Sequence, residues 1–245
     1  MTIDELGDSL YAHLKSLDYG NIEYTEDYIL AEGDISILLI AHIDTVFNTE
    51  PNENDFLYDN KKKILWSPYG SGFDDRAGVY AILKILDAGY RPSILFTTGE
   101  EMGGIGSTML ISKHPTPPIY AKFMIQLDRA NKNDSVYYSC GNKNFEKMIN
   151  SYGFKTAQGT FTDISIIGPE WDIAAVNLSI GYVDEHTFSE RLYTDWCDAT
   201  IEKVIYILDD ANAMKSYSYQ YNSTGFCLPF VGYNKKKERY ASFLN

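Results

Sequence analysis

Cysteine, histidine, basic charge and long apolar runs are all scarce in this 245-residue chain, and each scarcity excludes something. Its three cysteines, Cys140, Cys197 and Cys227, are an odd number, widely spaced and without a C-x-x-C pair. That excludes a disulfide scaffold and fits a reduced chain. Only 21 lysines and arginines stand against 34 acidic residues, for a formal charge of −13. No basic stripe exists to displace counterions from phosphate, so a nucleic-acid partner is not expected. The one lysine run, Lys61–Lys63, is offset by Glu53, Asp55 and Asp59. No apolar run approaches the roughly 18 residues of a membrane span, and the start of the chain is acidic and amphipathic rather than a basic leader. A cytoplasmic protein with no membrane partner is therefore expected. What is present is 44% apolar and 22% charged residues, a globular composition on a length that buries a core without staples.

Periodicity orders the chain. Ile3, Leu6, Leu10, Leu14 and Leu17 recur at helical spacing, with Thr2 and Glu5 placed as a capping box. Short extended stretches are expected at 22–25 and 28–31. The run Ile35-Ser-Ile-Leu-Leu-Ile-Ala41 reads as a strand buried on both faces. Residues 47–73 hold a polar loop and a hairpin (56–58 with 64–66). A helix marked by Val79, Ile82, Leu83 and Leu86 stops at Gly89. Strand and helix then alternate: strand 93–98, helix 104–113, strand 120–127, helix 144–152, strands 164–167 and 174–180, and a helix striped by Ile201, Val204, Ile205 and Leu208. Such alternation predicts an α/β three-layer sandwich on a mostly parallel sheet. One domain over 1–215 is expected, with 216–245 a tyrosine-rich extension of it, either extra strands or a mobile arm.

The acids and histidines fall at the ends of these strands. His42 and Asp44 follow strand 35–41. Asp74 and Asp75 stand in Gly72-Phe-Asp-Asp-Arg-Ala-Gly78 just before a helix. Glu100 and Glu101 follow strand 93–98, Asp128 ends strand 120–127, and His186 follows strand 174–180. Open α/β sheets bind ligands beyond the carboxyl ends of their strands. Any one of these residues alone reads as a solvated loop or a helix start favoured by the dipole. Together they crowd uncompensated carboxylates on one rim, where a cation is the natural partner. Two imidazoles among several carboxylates suit zinc, or cobalt or manganese, better than calcium or magnesium, and the number of ligands suits two ions. A two-metal centre activates water and needs a separate carboxylate to carry its proton, a division that adjacent Glu100 and Glu101 can supply.

With these residues in place, the sequence resembles the di-zinc exopeptidase clan, metallopeptidase families 28, 42 and 20. The resemblance rests on His42-Ile-Asp44, Gly72-Phe-Asp-Asp-Arg-Ala-Gly78, Gly99-Glu-Glu101 with Gly106-Ser107, Leu127-Asp128 and His186-Thr-Phe-Ser-Glu190. It implies a phosphorylase/hydrolase-like zinc exopeptidase fold, most simply an aminopeptidase acting on short peptides. It also implies two Zn2+ per chain, with Co2+ or Mn2+ as substitutes. His42 and Asp128 would complete one zinc site and Glu101 and His186 the other. Asp74 would bridge them, with Asp75 the alternative. Glu100 would be the general base acting on a metal-bridging water, and Asp44 would hold the second nitrogen of His42. Asp75, Asp163 and Glu190 also occupy motif positions and read as supports for the ligands. Families 20 and 42 carry an extra domain in the intervals that here run from Asp128 to His186 and from His42 to Asp74. Both intervals are too short for one, so a bare catalytic domain is expected.

Other readings stay open at this point. An N-acyl amino acid amidohydrolase or a cyclase would use the same scaffold, and a relative without catalysis would bind peptides or partners. A two-metal phosphoesterase is disfavoured by the net negative charge. Arg129 and Asn131 are candidates to line a substrate pocket, while His13 and His114 read as solvated.

Overall fold

The computed structural model describes residues 2–47 and 51–222. The first helix, α1 (Ile3–Ser16), begins at the expected capping box. Thr2 N–H donates to Glu5 Oε2 at 2.8 Å and Glu5 N–H to Thr2 Oγ1 at 3.3 Å. Its Leu6, Leu10 and Leu14 are buried on one stripe. Then come β1 (Ile22–Tyr24), β2 (Tyr28–Ala31) and β3 (Ile35–His42), followed by the hairpin β4 (Leu57–Asp59) and β5 (Ile64–Trp66). Helix α2 (Phe73–Asp87), β6 (Pro92–Thr97), α3 (Ile105–Lys113), β7 (Met124–Arg129), β8 (Asp134–Val136) and α4 (Lys143–Ser151) follow. The described chain closes with β9 (Lys155–Thr156), α5 (Asp163–Trp171), β10 (Ala175–Ser179), β11 (Tyr182–Val183), β12 (Arg191–Tyr193) and α6 (Thr194–Asp209).

Eight strands form the main sheet in the order β1-β2-β6-β3-β7-β10-β8-β9. Its centre, β6-β3-β7-β10, is parallel, while β2 and β8 join antiparallel. Leu39, Phe96, Ile125 and Val176 point to the face covered by α1, α2, α4 and α6. Leu38, Leu95 and Met124 point to the face covered by α3 and α5. The result is the expected three-layer α/β sandwich on a mostly parallel sheet. A second, antiparallel sheet in the order β11-β12-β5-β4 extends the anticipated hairpin with strands from beyond β10.

Three local expectations are corrected. Residues 164–167, read as a strand, lie in α5: Ile164, Ile167 and Trp171 all pack on the α3 side of the sheet, a helical period of three and four. Thr162 caps that helix with Ser165, and Pro169 sits within it. The strand read from residue 120 starts at Met124. His13 and His114, read as solvated, are half-buried, and His114 Nε2 lies 2.9 Å from Glu23 Oε2 because β1 runs beside the end of α3. Of the tyrosine-rich extension, the part up to Asn222 packs on the body: Tyr217 N–H donates to Lys122 O, and Asn222 N–H to Ser139 O, both at 2.8 Å. The remainder lies outside the described residues. Among the described residues, no helix is long and apolar enough to cross a membrane.

Candidate metal centre

Parallel strands β3 and β7 end side by side, and the chain turns at each end carry the candidate residues. His42 is the last residue of β3 and is fully buried, its backbone paired with Thr97 of β6. Asp128 stands near the end of β7, and α2 starts directly over both strands. The approach is close because of Gly78: a Cβ there would come within 2.0 Å of Leu127 O. Gly72, in the left-handed region at φ 62°, turns the chain into α2, and Asp74 and Asp75 have non-helical dihedrals. These two residues are joined by a cis peptide bond. Their side chains point to different partners, Asp74 to the imidazoles of His42 and His186 and Asp75 to the backbone amides of His42 and Gly78.

Two donor sets result. In the first, His42 Nε2 lies 3.1 Å from Asp74 Oδ1 and 3.5 Å from Asp128 Oδ1. In the second, His186 Nε2 lies 3.1 Å from Asp74 Oδ2 and 2.9 Å from Glu101 Oε1. Within each set one ligand atom per residue falls inside 4.8 Å of the others. Asp74 belongs to both, giving one oxygen to each. Asp75 belongs to neither: its two oxygens accept from His42 N–H at 3.2 Å and Gly78 N–H at 3.0 Å. Glu100 lies beside the sets without joining either.

The surroundings differ in kind. The first set is wholly buried, whereas His186 in the second is half-exposed. Asp44 lies 3.3 Å from His42 Nδ1 and accepts from Glu100 and Glu101 N–H at 3.3 and 3.2 Å, so it fixes the imidazole and the glutamate turn together. Asp163 accepts from Ser107, from Thr97 at 2.6 Å and from Gln126 at 3.5 Å, bracing the base of the same turn. Glu190, also buried, accepts from Asp74 N–H at 2.9 Å. Arg129 and Asn131 are directed at Asp134, at 3.8 and 3.4 Å, rather than at the donor sets.

Four residues around Asp128 were not read from the sequence. Gln126, Thr162 and Asn177 donate to its Oδ2 at 3.0, 2.8 and 3.4 Å, and Tyr182 O–H reaches its Oδ1 at 3.2 Å. The available signal was polarity in the wrong place. Gln126 and Asn177 interrupt the buried apolar runs 124–127 and 175–178, and a buried amide needs a partner.

Electrostatics follow from crowding acids out of water. Burial, then the charge of Asp128, pushes the Glu100 carboxyl up to about 9. Burial, then Asp74, lifts Glu101 to about 7. Burial raises Asp128 to about 6 against the hydrogen bond from His42. Burial works on Asp74 in the same sense, but hydrogen bonds from His186 and His42 outweigh it and hold this carboxyl below its ordinary range. Its hydrogen bond to Asp74 lifts His186 to about 9. Among the described residues, the ion pairs of Asp74, Glu101 and Asp128 are with these two imidazoles. A donor chemistry of two imidazoles and three carboxylates, short of positive charge, fits a pair of borderline divalent cations.

A family model for peptidase family M28 matches residues 29–165, more than half of the chain. The match takes in every candidate residue except His186 and Glu190. No curated protein matches the sequence. Among solved structures, the chain is similar to a tripeptidase from Staphylococcus aureus subsp. aureus Mu50. The TM-score is 0.69 at 14% identity, over 85% of this chain and 93% of that one. It is also similar to the aminopeptidase PepT from Bacillus cereus ATCC 10987, with TM-score 0.60 and 14% identity over 83% and 92%. A TET aminopeptidase from a marine-sediment Thaumarchaeota archaeon gives TM-score 0.60 and 11% identity over 83% and 91%. These likenesses are of fold.

Proposed function

The chain belongs to peptidase family M28, and from that premise we propose that it is a zinc-dependent exopeptidase that removes the amino-terminal residue of short peptides. The observation that carries this reading is the pair of donor sets sharing Asp74, with an unshared acid, Glu100, beside them. His42, Asp74 and Asp128 would hold one zinc ion, and Asp74, Glu101 and His186 the other; Co2+ or Mn2+ would fit the same donors. Bound there, the ions would supply Lewis acidity for an attacking water and for the scissile carbonyl.

The remaining steps belong to the chain's own residues. In the ion-free chain burial and the charge of Asp128 raise the Glu100 carboxyl, and two bound cations would offset that charge and return it toward the range in which it is ionised and can accept a proton. Glu100 would take a proton from the attacking water and hand it to the amine that leaves. Asp44 keeps the Glu100 backbone against the His42 ring, so the base and the buried donor set hold a fixed relation.

Charge around the opening supports recognition of a free amino terminus. Segments 99–107 and 184–189, which carry Glu101 and His186, contain no lysine or arginine, and neither does segment 44–47 beside Asp44. Among the described residues, Arg191 pairs with Asp184 and Arg129 faces Asp134, while Arg76 lines a largely apolar cavity of about 550 Å³ that Thr45, Phe47, Gly72 and Phe73 also line. An ammonium entering beside Glu100 and Glu101 would meet carboxylates. Elemental analysis should give two zinc ions per chain, and chelation should abolish cleavage of aminoacyl reporters. Peptide amides should be cleaved as well as the free acids, and N-acetyl peptides should resist. Full hydrolysis by metal-free protein, or preference for N-acyl amino acids, would overturn the proposal.

A further inference from the structure

The second donor set joins two segments outside the main sheet, linked in the small sheet by the pairing of β12 with β5, several residues before Asp74. Asp74 starts α2, and His186 sits half-exposed on a turn between β11 and β12, itself at φ 62°. The first set needs no such tie, because His42 and Asp128 lie on adjacent, hydrogen-bonded strands. One residue bridges the two loose segments. The Glu190 carboxylate is fully buried at the start of α2, where Gly72 provides no side-chain cap. Its Oε1 accepts from Asp74 N–H at 2.9 Å, and the N–H groups of Phe73 and Gly72 face the same carboxylate. A helix N-terminus with its donors unused favours such an anion, here delivered from the far end of the chain.

The main chain of Glu190 ties the other side. Its N–H donates to Thr187 O at 3.1 Å, closing the turn that follows His186. Thr187 Oγ1 in turn donates to Asp184 O at 2.7 Å and accepts from Ser189 N–H at 3.1 Å. Ser71 Oγ donates to Glu190 O at 3.1 Å and accepts from Ser67 N–H at 3.0 Å, fastening the turn to the loop before α2. Side chain and backbone of one residue thus span the segments that carry Asp74 and His186.

We infer that Glu190 is a positioning residue that sets the separation of Asp74 and His186, and through it the cation affinity of the Asp74–Glu101–His186 set. The inference rests on the metal-binding reading above and adds to it a residue that touches neither ion nor substrate. Removing a partner that orients a ligand weakens metal affinity by about 10- to 100-fold. The loss should fall mainly on the second set, which has two of its three donors placed this way, and less on the first, which has one.

Calorimetric titration of metal-free protein with Zn2+ tests this in wild type, Glu190→Ala, Glu190→Asp, Glu190→Gln, His186→Ala and the double variant Glu190→Ala/His186→Ala. Wild type should bind two ions. Glu190→Ala should weaken the second by about 10- to 100-fold, and Glu190→Gln, which keeps an acceptor oxygen in place, should restore it to within about threefold. In the His186→Ala background, loss of Glu190 should shift the remaining ion far less, a non-additivity that global destabilisation would not produce. Should Glu190→Ala fail to fold, Glu190→Asp keeps the charge but withdraws it from the α2 amides, and the same selective loss should appear there. Unchanged affinities in the variants, or equal weakening of both ions in step with a lower Tm, would overturn the inference. A wild type that binds no divalent ion would sink the metal-binding reading first, before any variant is compared.

Discussion

Stripped of divalent ions, the protein should lose stability as the pH rises from 5.5 to 8. Glu101 shows the sign. Burial and Asp74 raise its folded pKa from 4.5 to about 7, so the folded chain keeps a proton that the unfolded chain has already released. The folded state then binds more protons, and stability falls with pH between those two values. Glu100, lifted to about 9, and Glu190, lifted by burial to about 7, slope the same way, as does Asp128 up to about 6. His186 agrees: its pKa is raised from 6.5 to about 9, and a base raised on folding stabilises below its unfolded value and loses that as pH passes the folded one. The lowered Asp74 contributes fully above about pH 4 and is constant across this window. From pH 5.5 to 7, Glu101 alone covers about 1.5 pH units at 1.4 kcal/mol each, or about 2 kcal/mol. Screening at this partly open end of the site leaves ~1 kcal/mol. For a chain of this length that is a fall in Tm of about 2–4 °C from one residue, with the others adding to it. Thermal melts of chelator-treated protein at several pH values measure it, and zinc-loaded protein, its carboxylates held ionised, should give a flatter profile. A metal-free Tm that stays level or climbs between pH 5.5 and 8 would refute the reasoning.

Three further outcomes are expected. Glu100→Gln should retain both ions by elemental analysis while kcat on an aminoacyl reporter falls by about 10²- to 10⁴-fold, since the residue lies in neither donor set. Phe123→Ala should cost about 3–5 kcal/mol in urea unfolding. Phe123 is fully buried between Phe145 and Tyr217, with ring centroids 5.4 and 6.1 Å away, and far from the metal centre, so metal stoichiometry should not change. Cys197, buried and with its thiol pushed up to about 12 by burial, should resist iodoacetamide at pH 8 in native protein and react in urea, as read by peptide mass mapping.

The layer order was legible because β3, β6, β7 and β10 are apolar on both faces and α1, α2 and α6 carry clean helical stripes. The failure at 164–167 has a physical cause. Four residues with three isoleucines fit a buried strand and a helix turn equally well, and only Trp171, a full turn beyond, resolves the period. The chemistry was legible to the extent that it sits at strand ends, where chain order itself delivers His42, Glu101 and Asp128 to one rim. The choice between Asp74 and Asp75 was not, since it depends on the non-helical dihedrals at the start of α2. Nor could spacing show that Gln126, Thr162, Asn177 and Tyr182 converge on Asp128, because they come from four separate segments.

What separates the acids that could face a cation from those that build the frame is where their oxygens are already committed. Both oxygens of Asp75 accept backbone N–H groups, both of Asp44 accept the amides of the Glu100–Glu101 turn, and Asp163 is filled by hydroxyls and an amide. Their oxygens are already occupied by hydrogen bonds, so a cation could reach them only by displacing those donors. Asp74 is different: one oxygen faces His42, the other faces His186, and neither meets a protein amide among the described hydrogen bonds. Asp128 divides itself, with Oδ2 taken by three donors and Oδ1 turned toward His42 while accepting from Tyr182 O–H alone. Such an arrangement leaves Asp128 one oxygen for an ion, whereas Asp74 offers one oxygen to each of two. The shared position of Asp74 thus follows from hydrogen bonds made by its neighbours as much as from its own place in the chain. Adjacent aspartates in one motif are thereby given opposite tasks, Asp75 joining β3 to α2 and Asp74 facing the gap between the imidazoles.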